Sequence, residues 1–136
     1  MSDDRLLFAH RLTVRFRDCD LMGHVNHAVY LTYFEQCRFA WWTHLGGTMG
    51  FPGASTVIVH AEADYRAPAF LNDELEIRLT PGAVGRSSVV LTYEIVNVAT
   101  GQRLAEGKTV NVTIDPQTHA TIPVPEATRK RLAQRG

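Results

Sequence analysis

The sequence predicts an α+β protein in which one long helix is covered by a curved antiparallel sheet. Two observations predict this class. First, apolar residues recur at helical spacing in one segment, at Tyr30, Tyr33, Phe34, Cys37 and Trp41. Second, the segments that follow it alternate like strands, and no second strand–helix–strand unit is present. A helix with a strongly apolar face needs a covering surface, which a wrapped sheet supplies.

The helix, with the strand and turn that lead into it, comes first in the chain. Residues 11–17 alternate between apolar and polar side chains and predict a half-buried strand. A turn over 18–23 follows, and Asn26 is a suitable N-cap. The helix is expected from about residue 27 to about residue 44, with Gly46-Gly47 as its stop.

The rest of the chain predicts four more strands and a tail. The strands are expected over residues 57–66, 74–79, 87–97 and 103–114. Residues 48–54 are expected to form a loop, and Pro81-Gly82 with Gly85 a hairpin connection. Gly107 suggests a bulge in the last strand. Residues 126–135 are expected to form a short, polar, loosely held helix.

Length and charge limit the function classes. The chain of 136 residues predicts a single domain over 1–136, with its core over about 10–115. Lys+Arg 14 balances Asp+Glu 14, which argues against nucleic acid or an anionic membrane as the main partner. There is no apolar run of membrane-spanning length and no signal-peptide pattern, and two cysteines make no disulfide framework. A cytoplasmic location is expected.

The stretch from Arg17 to Arg38 contains the candidate chemistry. It holds Asp18 and Asp20 ahead of a turn at Gly23, where the helix is about to begin. Acids near a helix start are often structural, because they interact favourably with the helix dipole. The alternative is a nucleophile or general base. The free amides at residues 24–28 favour it, since they would form an oxyanion site.

Other residues of this stretch have competing interpretations. His24 and His27, with the nearby acids, suggest a metal site, but their spacing matches no reliable zinc motif, and none is predicted. Cys19 lies between two carboxylates that disfavour a thiolate, so a buried structural thiol is expected. Glu35 and Arg38 are spaced for an exposed ion pair, although Glu35 is also a candidate second catalytic carboxylate.

The pattern D-C-D-x-x-G-H-V-N-x-x-x-Y-x-x-Y-F-E-x-x-R resembles the hotdog-fold acyl-CoA thioesterases, in the branch related to 4-hydroxybenzoyl-CoA thioesterase. A-D-Y-R-A-P-A-F-L-N-D-E-L-E-I at 63–77 and A-E-G-K-T-V-N-V at 105–112 extend the resemblance over most of the chain. The G-H-V-N-H segment departs from the aryl-thioesterase pattern. This leaves aliphatic acyl groups open.

The resemblance implies a hotdog fold, with an active site at the helix N-terminus between two subunits whose sheets join edge to edge. It implies that Asp20 is the catalytic carboxylate and that the His27 backbone amide polarises the carbonyl, and Gly23 and Asn26 complete the set of candidate catalytic residues. No cofactor is expected besides the coenzyme A of the substrate. A homodimer, assembled further into a homotetramer, is expected. An acyl carrier protein as acyl donor and a non-catalytic binding domain are the alternatives. The candidate substrate-binding residues are His24, Tyr30, Glu35, His60, Arg66 and Arg86.

Overall fold

The computed structural model describes residues 6–47 and 50–133. Five strands of this part form one antiparallel sheet in the order β1-β3-β4-β5-β2. The helix α1 precedes β2 in the chain, and a short helix α2 follows β5. The elements are β1 Phe8–Thr13, α1 Val29–Leu45, β2 Ser55–Tyr65, β3 Glu74–Val84, β4 Ser88–Asn97, β5 Arg103–Ile114 and α2 Glu126–Ala133.

The core lies between α1 and one face of the sheet. Alternate residues of β3 and β4 are fully buried, as the period of a half-covered strand requires. They meet the helix side chains that recur at i, i+3, i+4 and i+7, which are also buried. Burying each large apolar side chain stabilises the fold by roughly 1.5–3 kcal/mol. The principal members are Tyr33, Phe34, Cys37, Trp41, Leu75, Ile77, Leu79, Leu91 and Ile95.

Gly107 lies where a side chain of α1 packs closely against the sheet. The β5 register shows no bulge there, because Gly107 pairs regularly with Ala63 and Tyr93, so the expected bulge is wrong. The glycine instead makes room for Phe34. A Cβ atom at this position would lie 2.6 Å from the Phe34 ring and closer still to the Glu62 carbonyl.

Strand β2 lies at the edge of the sheet and is exposed along most of its length. Its apolar side chains are not covered: Val59 is 60% exposed, and Val57, Ile58 and Tyr65 are also exposed. A register shift between Ile58 and His60 marks an irregularity at its centre. The other edge of β2 pairs with no strand among the described residues.

Several boundaries differ from the sequence-based expectations. The first strand is 8–13, not 11–17, and Phe16 at the end of the expected strand is 82% exposed. It lies in a 3-10 turn, Phe16–Asp18. Pro81 and Gly82 lie inside β3, so the hairpin connection with β4 falls at residues 85–87. The sequence-based prediction ended this strand too early because the clear alternation stops at Leu79, and Pro81-Gly82 then looks like a turn.

The C-terminal segment is packed rather than loosely held, contrary to expectation. Val124 and Leu132 belong to the core, and Arg129 donates a hydrogen bond of 2.9 Å to the Gly85 carbonyl. The core therefore extends past residue 115. The last two residues of the expected tail helix, and Thr48 and Met49 of the expected loop, lie outside the described residues.

Candidate active site

A tight backbone loop positions the two acids ahead of α1. The Asp20 N–H donates to the His24 carbonyl at 3.0 Å, and the Asn26 N–H donates to the Asp18 carbonyl at 2.9 Å. Between them, the Gly23 N–H closes a turn on the Asp20 carbonyl. Gly23 has φ 88, a conformation that glycine adopts without steric cost, which explains this residue at the turn.

Asp18 is a structural carboxylate. It is buried, and its oxygens accept hydrogen bonds from the Tyr33 hydroxyl at 2.8 Å and from the Arg15 backbone N–H at 3.0 Å. The Arg15 guanidinium forms a salt bridge to it at 3.0 Å. Burial acts to raise the pKa of Asp18, but these hydrogen bonds together outweigh burial and hold the pKa below its usual value.

Asp20 faces a pocket, unlike Asp18. Its side chain is 34% exposed. One carboxylate oxygen accepts a hydrogen bond of 2.8 Å from the Met22 N–H, and His24 Nδ1 lies 3.9 Å from the same oxygen. The other carboxylate oxygen accepts no hydrogen bond from any described residue. Asp20 is therefore held in place through one oxygen while the second remains available for chemistry.

The helix begins two residues later than expected, which changes the set of backbone amides that are free to bind a substrate oxygen. Asn26 is not the N-cap of α1, which starts at Val29. Its side-chain oxygen instead accepts the Ala28 N–H at 2.9 Å, and its carbonyl accepts the Val29 N–H. Val25 donates to the Ala69 carbonyl.

Three of the five amides expected to form the oxyanion site, those of residues 25, 26 and 28, are thus already bonded. The amides of His24 and His27 have no hydrogen-bond acceptor in the described part of the chain. Of these two, the His27 amide is the nearer to the helix. It lies between Asn26 and Ala28, the residue whose N–H bonds to the Asn26 side chain. It is therefore the stronger candidate for polarising a carbonyl.

The pocket next to Asp20 has a volume of about 320 Å³. Its floor is aromatic: the rings of Tyr30 and Tyr65 meet edge to face with centroids 5.1 Å apart. The Tyr65 hydroxyl donates to the His27 carbonyl at 2.9 Å, which fixes the end of β2 against the helix start. Its lining residues are Asp20, His24, Val25, His27, Tyr30, Tyr65, Arg66, Ala67 and Pro68.

Tyr65 and the turn 67–68 were not among the candidates from sequence. Tyr65 reads as one more residue of an alternating strand, and only the strand's position beside α1 brings it to the pocket. The A-D-Y-R-A-P stretch of the family resemblance was the one signal that pointed to it.

Only three of the six candidate substrate-binding residues, His24, Tyr30 and Arg66, line this pocket. The Tyr30 hydroxyl accepts the Ala69 N–H at 3.2 Å, and Arg66 forms a salt bridge of 2.7 Å to Glu106 at the rim. The other three candidates lie elsewhere. Their positions are as follows: His60 is bonded to Glu62 on β2, Arg86 lies at the β3–β4 hairpin, and Glu35 lies further along α1.

Two further expectations about reactive side chains are corrected. Glu35 and Arg38 do not form an exposed ion pair, because Arg38 is buried and donates to the Tyr93 hydroxyl at 3.1 Å. Cys19 is partly exposed rather than buried. Cys37 is buried as expected, and burial raises the pKa of its thiol to about 12. Among residues 6–47 and 50–133, no three His, Cys, Asp or Glu side chains are grouped to hold a metal ion.

A family model described as the thioesterase-like superfamily matches residues 14–132. The chain belongs to this superfamily. It is 32% identical to the 1,4-dihydroxy-2-naphthoyl-CoA hydrolase of Synechococcus elongatus, over 83% of this chain and 85% of that protein. It is 29% identical to the long-chain acyl-CoA thioesterase FadM of Escherichia coli, over 91% and 96%. An uncharacterized protein of Bacillus subtilis, YsmA, is 31% identical over 63% of this chain and 58% of its own length.

A solved thioesterase shares this architecture. The thioesterase of Thermus thermophilus, determined with coenzyme A and Zn, superimposes with a TM-score of 0.80 at 30% identity. The match covers 95% of this chain and 99% of that one. The predicted hotdog fold, the family and the acyl-CoA thioesterase class are confirmed, while the roles of individual residues stay predictions. No helix in the described residues is both long and apolar enough to cross a membrane.

Proposed function

We propose that the protein hydrolyses acyl-CoA thioesters, with Asp20 as the catalytic carboxylate and the His27 backbone amide as the oxyanion donor. The observation that carries this proposal is their position on one pocket. Asp20 has an unbonded carboxylate oxygen there, and the His27 amide has no other acceptor among the described residues.

The proposed chemistry needs no group beyond these two and water. In one route, Asp20 deprotonates a water molecule, whose oxygen attacks the thioester carbonyl. In the other, the carboxylate itself attacks, and water then cleaves the resulting anhydride. In both routes the C–S bond breaks, water supplies the hydroxyl group of the carboxylic acid, and the other proton of that water goes to the sulfur, so that coenzyme A leaves as the thiol. One oxyanion donor lowers the barrier by roughly 2.7–4 kcal/mol.

The assignment of the carrier and of the acyl group is a separate proposal. The relatives' names include both an aromatic and a long-chain acyl group, each attached to coenzyme A. The aromatic floor of the pocket accommodates flat and aliphatic groups alike, so we infer coenzyme A as the carrier without restricting the acyl group. Rates on a panel of acyl-CoA thioesters, with acyl carrier protein derivatives in parallel, test the carrier. Faster turnover of the carrier-protein derivatives would reverse it.

A homodimer joined along β2 is the proposed assembly. The strand is a long, exposed, apolar sheet edge, which in isolation invites pairing with another chain. Pairing of two β2 strands would also bring a second copy next to the pocket, since Tyr65 ends β2 and lines it. Light scattering on the purified chain tests this assembly. A mass of four chains would support the expected tetramer, and a monomer at micromolar concentration would reject both.

The catalytic assignment is tested by Asp20→Asn and Asp20→Ala. Both should abolish release of free thiol from acyl-CoA, while circular dichroism and the melting temperature remain near those of the parent. Asp64→Asn is the matched control, because it removes an exposed carboxylate that lies outside the pocket. Full turnover in either Asp20 variant would reject the role of Asp20. Inactivity of the parent on every thioester would instead favour a non-catalytic binding domain.

A further inference from the structure

Arg38 is a buried cation that has no counter-charge among the described residues. It lies on α1, is only 5% exposed, and uses Nη1 to donate to the Tyr93 hydroxyl at 3.1 Å. Its guanidinium carbon is 5.6 Å from the centroid of the Trp42 ring. Its Nε atom is fully buried and has no acceptor, and no carboxylate of the described residues lies within ion-pair distance of the guanidinium.

The unused side of the Arg38 guanidinium offers one donor to an outside ligand. Nε is closed to such a ligand because it is fully buried, whereas Nη2 is not among the fully buried atoms and makes no hydrogen bond with any described residue. An Nη2–H group donates a charge-assisted hydrogen bond to a carboxylate oxygen. A buried charge without a counter-charge is costly by several kcal/mol, so a carboxylate that reached Arg38 would stabilise the folded protein. A carboxylate that is always available provides this stabilisation better than one brought by a transient ligand.

Arg38 lines a second pocket, of about 220 Å³, between α1 and strands β2 and β5. Glu35 lines the same pocket. It is exposed, and its side chain makes no hydrogen bond or ion pair with any described residue. This surface therefore carries an unpaired cation and an unpaired carboxylate. Such a surface is complementary to a second copy of itself when the copies are related by a two-fold axis.

The position of this pocket on β2 fits such an axis. Strand β2 spans residues 55–65, so its midpoint is His60. Two copies that pair antiparallel along this edge, centred on the midpoint, have their two-fold axis there. The residues of β2 that line the pocket, Ile58 and Ala61, flank that midpoint. The pockets of the two copies would therefore face each other next to the axis.

We propose that Glu35 of one copy accepts a hydrogen bond from Nη2 of Arg38 in the second copy, so that each chain supplies the counter-charge for the other's core. This inference rests on the dimer suggested under the proposed function and names the pair that completes it. Arg38 also links, through the Tyr93 hydroxyl, to Thr109 at 2.7 Å and onward to Asn111. The interface is thus continuous with a buried polar network of the monomer.

A zero-length crosslink tests the pair directly. In the full chain carrying Arg38→Lys, a carbodiimide should join Glu35 to the lysine side chain at position 38 of the other copy and give a dimer that survives denaturing electrophoresis. Mixing isotope-labelled and unlabelled chains identifies the link as intermolecular. The double variant Arg38→Lys/Glu35→Gln is the control and should give no such dimer. A link confined to single chains, or no link in a sample that light scattering shows to be dimeric, would overturn the proposal.

A second measurement avoids any change in the core. Glu35→Gln alters only an exposed side chain and should raise the dimer dissociation constant by about 100-fold, because two symmetry-related pairs are lost together. Glu126→Gln, at the start of α2, is the matched control and should leave it unchanged. An unchanged dissociation constant in Glu35→Gln would contradict the pair and leave a ligand carboxylate as the partner of Arg38. Running both experiments in Asp20→Asn separates this inference from the catalytic one.

Discussion

The two acids of the D-C-D motif should fail in opposite ways when each is changed to asparagine. Asp18 accepts the buried Tyr33 hydroxyl and two groups of Arg15, whereas Asp20 has one hydrogen bond and faces the pocket. Asparagine at position 18 lacks the negative charge, and an NH₂ group replaces one of the two acceptor oxygens. This NH₂ group would face hydrogen-bond donors, which cannot accept a hydrogen bond from it. We expect Asp18→Asn to destabilise the fold and Asp20→Asn to remove turnover.

The magnitude follows from the separate contacts of Asp18. A hydrogen bond to a charged group contributes about 1.5–3 kcal/mol, and the one from Tyr33 is fully buried. The Arg15 side chain is more than half exposed, so solvent screens its ion pair and it adds little. Asp18→Asn should therefore cost about 2–3 kcal/mol, a lowering of Tm by roughly 5–10 °C at this chain length. Asp20→Asn keeps its acceptor for the Met22 N–H and should leave Tm almost unchanged.

The pH dependence of stability tests the role of Asp18 independently. The pKa of Asp18 in the folded protein lies below its usual value, so its ionised form stabilises the fold. That contribution is complete above the unfolded pKa of about 4 and is lost as pH falls through the folded value. The stability gap between the parent and Asp18→Asn should accordingly narrow below about pH 4. Thermal unfolding and thiol release across a pH series measure both effects. Loss of turnover with a stable fold in Asp18→Asn would refute the assignment of the two roles.

Three further predictions test the same structure. His27→Pro removes the proposed oxyanion N–H and should lower kcat about 10²–10³-fold, while His27→Ala keeps that N–H and should lose much less; equal losses in steady-state assays would contradict a backbone role. Gly107→Ala places a methyl group against the Phe34 ring and should cost about 1–3 kcal/mol in chemical denaturation, and an unchanged midpoint would mean that α1 is not packed there. Cys37, buried and with its thiol pKa raised to about 12, should resist a thiol reagent at pH 8 until the protein unfolds; labelling as fast as that of Cys19 would show that the helix is not covered.

Much of the fold could be predicted because its elements depend on local periodicity. The stripe from Tyr30 to Trp41 and the alternation of β4 and β5 appear in the sequence as they appear in the structure. The end of α1 at Gly46 was also correct, because that residue adopts the left-handed conformation that favours glycine. Errors occurred where tertiary contacts override local preference. Pro81 continues a strand in spite of its missing N–H, and Leu132 makes an otherwise polar tail part of the core.

The site could be predicted only in part, for a similar reason. The motif placed Asp20 and His27 together, since both precede the helix within a few residues. It could not tell which amides were free, because Val25 is bonded to Ala69 from a distant part of the chain. Nor could it show that Arg38 turns inward to Tyr93, since three-residue spacing to Glu35 looks like an ordinary surface pair.

The loop ahead of α1 uses two acids for two roles, because one carboxylate could not easily fulfil both. Anchoring the loop requires a carboxylate with every lone pair engaged, whereas attack on a thioester requires one with an oxygen to spare. Asp18, the last residue of the 3-10 turn, bonds inward to Tyr33, whereas Asp20, on the other side of the Cys19–Val25 bridge, faces the pocket. The same pairing uses the amide of Asn26 and not that of His27. Rigid support and available chemistry therefore come from one small piece of backbone, with Asp18 for the first and Asp20 for the second.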